Sequence, residues 1–349
     1  MYAMFLALVF MVIFAQIFVG FDVLASKPVT SYETVGNEKI YQYEQKRDDG
    51  SVRTVYSTWD GKDKTLKGSI LHFQGSGCKS AISKNKNLPV RMQAATYFIE
   101  KAKKDYWIFG FEKRGVKPFD TVVKKSNTES CSKEYHDFET WDYRVEEAVA
   151  VLKYIKSLEV VKSDKIVIIG FSEGTDIVIG SLVKSNIPTH AGYFAGGGTT
   201  QMFDLIILGR KYWYKNILDV AEKEKKIEEM YAAYQDIMKN PTATDKFFQG
   251  HPYKRWSSFF KNEPDKLFLN VDVPVFLAHG TNDESVPIES IDYLQSQFIL
   301  HGKNNITIRR YAGLDHAFSI CDPNDPKCQP ETGFKQPEVI DDFLKWLRK

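Results

Sequence analysis

The chain reads as an α/β protein: a mainly parallel central sheet with helices on both faces and a helical cap insertion late in the sheet. Three observations predict this. Short apolar runs such as Gly68 to Phe73, Tyr106 to Phe111 and Val273 to Ala278 alternate with amphipathic helical patterns. At Lys165 to Ile179, K-I-V-I-I-G-F-S-E-G-T-D-I-V-I, a buried strand runs through G-F-S-E-G straight into a helix. From about Thr199 to Lys266 strand signals stop and helical spacing takes over.

The bulk numbers fit one large domain plus an insertion. With 349 residues, 43% hydrophobic and 26% charged, the chain can bury a sizeable core, and disordered and fibrous classes are excluded. Lys+Arg 47 against Asp+Glu 45 leaves the balance near neutral, so no global field argues for nucleic acid or an anionic surface. Local clusters at Lys79 to Lys86 and Glu222 to Glu229 read as solvated faces.

Residues 1–25 read as a signal peptide. Met1 to Phe21 is uncharged and almost wholly apolar, and Val23-Leu24-Ala25 supplies small residues where a signal peptidase cuts. The same stretch has no Lys or Arg at its start, and about 20 apolar residues also suffice for an uncleaved membrane anchor. Both readings place the protein outside the cytosol, secreted, periplasmic or envelope-bound, with any membrane association running through this segment alone. No cysteine precedes Cys78, so a lipid-anchored form is not expected.

Glu38 to Lys46 and Val52 to Trp59 flank Arg47-Asp48-Asp49-Gly50-Ser51, a D-G turn, and form a hairpin. The strand Gly68 to Phe73 runs into a glycine-rich loop, Gln74-Gly75-Ser76-Gly77-Cys78, that serves either as a tight turn or as a set of N–H donors for an anion. It is not a dinucleotide fingerprint, because no third glycine follows at Ser80. Leu88 to Lys101 is predicted helical, and Tyr106 to Phe111 is a strand ending at Glu112-Lys113-Arg114-Gly115. From Trp141, apolar residues return at Val145, Ala148, Leu152 and Ile155, one face of a helix.

After Pro188 to Ala195, another strand, the pattern breaks. In the insertion, residues 199–266, Ile227, Met230, Tyr231, Tyr234, Ile237 and Met238 share a stripe, and Trp213, Trp256, Phe259 and Phe260 add aromatic bulk. Most of these aromatics are expected in core packing. The sheet-bearing core would comprise residues 26–198 and 267–349. The sheet resumes at Val273 to Ala278, followed by H-G-T-N-D; Pro287 to Phe298 is helical, Asn305 to Tyr311 is the last strand, and Glu338 to Arg348 closes the chain with Ile340, Phe343, Leu344 and Leu347 inward. Asn305-Ile306-Thr307 fits the glycosylation pattern but lies in that strand.

Four cysteines, Cys78, Cys131, Cys321 and Cys328, suit an oxidising compartment. Cys321–Cys328 would close the short D-P-N-D-P-K loop, leaving Cys78–Cys131 by elimination. Nothing in their spacing suggests zinc, and no metal is expected.

A serine hydroxyl is a poor nucleophile unless an imidazole takes its proton and a carboxylate fixes the imidazole. Ser172 lies in the strand-to-helix turn, Asp283 follows the strand 273–278, and His316 follows the strand 305–311. In an open parallel sheet those strand ends share one edge. Asp315, beside the histidine, is expected to point elsewhere. Arg114 is expected in a structural ion pair, and Glu173 is explained by the favourable charge at a helix start.

From about residue 66 onward, G-F-S-E-G at 170–174, H-G-T-N-D at 279–283 and G-L-D-H-A-F at 313–318 resemble the α/β-hydrolase superfamily, the last two its dienelactone hydrolase-like and prolyl oligopeptidase-like members. The resemblance implies Ser172 as nucleophile, His316 as general base then acid, and Asp283 as the orienting carboxylate. It also implies an oxyanion hole from the Glu173 N–H and the loop after strand 68–73, where Gln74-Gly75 stands for a His-Gly pair, making the Ser76 N–H a donor with Gly77 in reserve. Cys78, if disulfide-bonded, would tether that loop. The expected activity is cleavage of a carboxylic ester, thioester or amide in a small molecule or short peptide, without cofactor, with the insertion shaping a pocket that Trp213 or Trp256 could wall. A serine peptidase is the alternative, and a non-catalytic binding protein on the same fold the third reading.

Overall fold

The computed structural model describes residues 27–62, 66–84, 88–120, 128–158, 165–217, 219–320 and 333–349. Residues 1–25, expected as a signal peptide, and Cys321 and Cys328, expected as a pair, lie outside them. Nine strands among the described residues form one sheet in the order β1 (Thr30–Thr34), β2 (Glu38–Lys46), β3 (Val52–Ser57), β5 (Tyr106–Phe111), β4 (Gly68–Phe73), β6 (Ile166–Phe171), β7 (His190–Phe194), β10 (Val275–Gly280) and β11 (Ile306–Tyr311). The first three strands and the β3/β5 junction are antiparallel, and β5 through β11 are parallel.

Alternation within the strands divides the core between the two faces. Ile166 and Ile168 of β6 face one side with Val145, Ala148 and Leu152 of the helix α3 (Trp141–Ser157) and Ile177 of α4 (Gly174–Lys184). Val167 and Ile169 face the other, with Phe98 of α1 (Ala95–Ala102) and Ile340, Phe343 and Leu347 of the closing helix α10 (Gln336–Leu347). The face expected for α10 is the buried one.

Between β7 and β10 run α5 (Gln201–Leu208), α6 (Val220–Lys239), α7 (Tyr253–Phe259) and α8 (Pro264–Leu269), with one short antiparallel pair, β8 (Phe247–Phe248) and β9 (His251–Pro252), that carries no sequence signal. Ile227, Met230, Tyr234 and Ile237 of α6 pack with Trp256 and Phe260 into a separate small core. Tyr231 and Met238 stay exposed, so the buried stripe is narrower than the sequence suggested.

One helix starts late. Residues 88–94 are not helical, because the Val90 N–H donates to the Glu33 carbonyl and Arg91 exchanges backbone hydrogen bonds with Ser83, an edge pairing that local spacing does not reveal. The remaining helix in this half, α2 (Lys133–Phe138), is capped by Ser132 and precedes α3, which Thr140 caps. Between β10 and β11 runs α9 (Ile288–Leu300). No helix among the described residues is long and apolar enough to cross a membrane.

Candidate active site

Ser172 sits at the turn from β6 into α4 with φ +55°, a left-handed conformation that a side chain disfavours. Both flanking glycines are required by contact. A Cβ at Gly170 would overlap the Gly174 carbonyl, and one at Gly174 would overlap the Phe73 carbonyl at the end of β4. This is the physical content of the G-x-S-x-G spacing. The turn is pinned by the Ser172 N–H, which donates to the Phe194 carbonyl of β7 at 3.0 Å.

Asp283 and His316 meet as the sequence predicts. The His316 Nδ1 lies 2.8 Å from Asp283 Oδ2. The Asp283 carboxylate is buried, and its Oδ1 accepts the N–H groups of Ser285 and Val286, both at 2.8 Å. Their loops are tied together: the Asn282 N–H donates to the Leu314 carbonyl at 2.9 Å, and the Gly313 N–H to Thr281 Oγ1 at 2.9 Å. Asp315 turns away and caps its own loop, accepting the N–H groups of Ala317 and Ser319 at 2.9 and 2.7 Å. Asp283 follows β10 and His316 follows β11, the two strands beyond β7, and the end of β7 links them to the Ser172 turn: its Phe194 carbonyl accepts the Ser172 N–H, and the Ala195 N–H beyond it donates to the Ala278 carbonyl of β10 at 2.9 Å. Ser172 Oγ makes no hydrogen bond among the described residues.

The loop Gln74 to Cys78 lies against the serine. A Cβ at Gly75 would come within 3.4 Å of Ser172 Cβ, ordinary contact distance. Cys78 is joined to Cys131, with Cα atoms 6.0 Å apart, so this pairing is present and ties the loop to the segment before α2. Beyond the loop opens a cleft of about 450 Å³ lined by Gln74, Ser76, Ser80, Ser83 and Gln93 among others.

Beneath the turn lies a buried ionic cluster that sequence reasoning missed. Glu173 pairs with Arg144 of α3 through Oε1 and with Arg255 of α7 through Oε2. Lys113 Nζ lies 3.9 Å from Glu173 and donates to Glu139 at 3.0 Å; Arg144 reaches Glu139 at 3.2 Å. Burial alone would raise the Glu173 carboxyl, but the charges of Arg255, Arg144 and Lys113 outweigh it and hold the carboxyl well below its usual range. Glu173 thus does more than complement a helix start: it couples the turn to a helix of the insertion. The motif E-K-R-G drew attention to Arg114, which is indeed a structural pair, bonding Asp49 at 2.6 Å and Glu134 at 2.9 Å and lying over the Phe138 ring at 3.7 Å. Its neighbour Lys113 is the buried one.

Trp256 is core packing rather than a pocket wall: it is buried, with its indole N–H donating to the Phe248 carbonyl at 2.6 Å. Trp213 is partly exposed. Asn305 uses its side-chain amide on the carbonyls of Val271 and Val273.

No family model and no curated protein matches the sequence. Solved structures do match the fold. A puromycin-hydrolysing peptidase of Mycobacterium tuberculosis is similar at TM-score 0.52 and 13% identity over 81% of this chain and 36% of its own. The acylaminoacyl peptidase of Pyrococcus horikoshii gives 0.53 and 13% over 91% and 42%. An esterase of Pyrococcus furiosus gives 0.51 and 17% over 88% and 89%. The chain spans well under half the length of those two peptidases. The strand order, the serine turn and these likenesses converge: the chain has the α/β-hydrolase fold.

Proposed function

We propose that the protein is an exported serine hydrolase that cleaves a carboxylic ester, thioester or amide through an acyl-enzyme. The observation that carries this is the 2.8 Å bond between Asp283 and His316 Nδ1 at the sheet edge where Ser172 occupies a left-handed turn. Asp283 takes both backbone N–H donors on Oδ1, so its Oδ2 is left to accept the proton on His316 Nδ1, the tautomer that leaves Nε2 free to accept.

Ser172 Oγ attacks the substrate carbonyl carbon while its proton passes to His316 Nε2. The tetrahedral oxyanion is met by the N–H groups of Glu173 and Ser76, with Gly77 in reserve. The C–X bond to the leaving group then breaks, and the leaving group takes the proton from His316. Water, deprotonated by the same imidazole, attacks the acyl-enzyme and releases acid and Ser172. Nothing in these steps calls on a metal or cofactor.

The helices at 199–266 would act as a cap over this edge, and Glu173–Arg255 is the contact that supports such a role. Export is supported by the apolar stretch Met1 to Phe21 and by the Cys78–Cys131 disulfide, a bond at home in oxidising compartments.

An esterase is preferred over a peptidase. A peptidase that holds a substrate amine needs free carboxylates, and the buried Glu173, next to the serine, and Glu139 are taken up by Lys113, Arg144 and Arg255. The test is turnover of p-nitrophenyl esters against aminoacyl p-nitroanilides. Ester turnover that falls by roughly 10³-fold or more in Ser172→Ala and in His316→Ala is expected. Faster anilide turnover would make the protein a peptidase, and no turnover of either by folded protein would leave a binding role.

A further inference from the structure

Two buried cations hold three carbonyls of one loop. Lys113 Nζ donates to Gly75 O at 2.7 Å and to Gly77 O at 2.8 Å, and its third proton goes to Glu139 at 3.0 Å. Arg144 Nη2 donates to Gln74 O at 2.6 Å. There are no cis peptides among the described residues, and in a trans peptide the N–H points opposite the carbonyl of the same plane. Drawing the carbonyls of residues 74, 75 and 77 toward the cations therefore turns the N–H groups of Gly75, Ser76 and Cys78 the other way.

The spaces around the loop separate the cations from its glycines. Lys113, Arg144 and Glu139 line a small void of about 20 Å³ together with Gln74. The cleft of about 450 Å³ is lined by Gln74, Gly75, Ser76 and Gly77, and not by either cation. Lysine suits this task better than a neutral donor, since charge-assisted bonds to carbonyls are shorter and stronger. The cluster of Lys113, Arg144 and Arg255 against Glu139 and Glu173 also carries one more positive than negative charge beside the turn.

We propose that Lys113 is a positioning residue for the hydrolytic reaction: by clamping the carbonyls of Gly75 and Gly77 it aims the Ser76 N–H at the substrate oxyanion. The inference rests on the hydrolase reading above. It assigns to Lys113 a role in the transition state only, because the oxyanion forms only there.

The ammonium must stay protonated to serve three acceptors. Burial first, and then the Arg144 charge, lower Lys113 to about 8, while Glu139 and Glu173 pull it back up. Tyr135, whose ring lies 5.7 Å from Nζ, and His251 are the other titratable groups facing it. Lys113 is charged below about pH 8, and the clamp weakens as pH rises through that value.

The test is steady-state hydrolysis of p-nitrophenyl acetate by wild type and Lys113→Met across pH 6 to 10. Expected are a kcat lower by roughly 10- to 100-fold at pH 7 with little change in KM, and an alkaline fall in wild-type kcat near pH 8 that the variant lacks. A folded variant with wild-type kcat overturns the proposal while leaving the hydrolase reading intact. If the variant does not fold, the wild-type profile decides: a kcat flat to pH 10 overturns the clamp. Wild type that neither turns over esters nor reacts at Ser172 overturns both.

Discussion

Ser172 is held at φ +55°, where a residue with a side chain costs about 1–3 kcal/mol relative to relaxed backbone. Glycine carries no such cost, so Ser172→Gly should raise the unfolding free energy in urea by about 1 kcal/mol while abolishing hydrolysis. A variant that loses stability would mean the serine side chain is held by contacts not accounted for here. Asp176, in the first turn of α4, is a second residue whose state the fold dictates. Burial first, and the nearby Glu173 charge, push it up to about 7 although Gln201 and Asn262 donate to it at 2.7 Å. Unfolded, an aspartate ionises near about 4. Between these values the native state binds the extra proton, so the contribution of this group is present below about pH 4 and is lost as pH rises to about 7. Asp176→Asn should therefore gain stability relative to wild type as pH rises across that window, then level off. A difference that does not change with pH would show that Asp176 is ionised throughout. The places of Ser172, Asp283 and His316 at strand ends were legible from residue type and strand position; Asp176 was not singled out. Lys113, Arg144 and Arg255 were not, because five residues spread from 113 to 255 meet only through tertiary packing.

At the scale of elements, α7 is attached to the serine turn through one buried ion pair. Removing one partner of a buried pair strands the other, at a cost of about 3–5 kcal/mol when no second partner is at hand. Glu173 keeps Arg144 and Lys113, so Arg255→Met should cost nearer about 3 kcal/mol in denaturant unfolding. A neutral variant would show that the guanidinium, stacked 4.0 Å from Trp256, acts through packing alone. Periodicity located most elements because their burial is one-sided: β2 begins and ends where the D-G turn and alternation put it, and α3 buries Val145, Ala148, Leu152 and Ile155 as spaced. It failed where backbone pairing decides. Val90 and Arg91 carry a helical pattern yet pair with Glu33 and Ser83, and β8 and β9 are too short to show alternation.

Across the whole molecule, parallel strands bring the ends of β6, β10 and β11 to one edge, and the disulfide from Cys78 to Cys131 fixes the loop that faces it. That bond spans 53 residues, so replacing both cysteines by alanine should lower stability by about 4 kcal/mol on chain-entropy grounds and slow hydrolysis by loosening the loop. Unchanged turnover in the double variant would show that Lys113 and Arg144 hold the loop without help. The expectations about hydrolysis presuppose an activated Ser172. The most direct test is to treat the folded, disulfide-intact protein and Ser172→Ala with a fluorophosphonate and locate the adduct by peptide mass spectrometry. A single adduct on the peptide carrying Ser172, absent from the variant, is the predicted result; no adduct, or equal labelling of both proteins, would contradict a serine hydrolase.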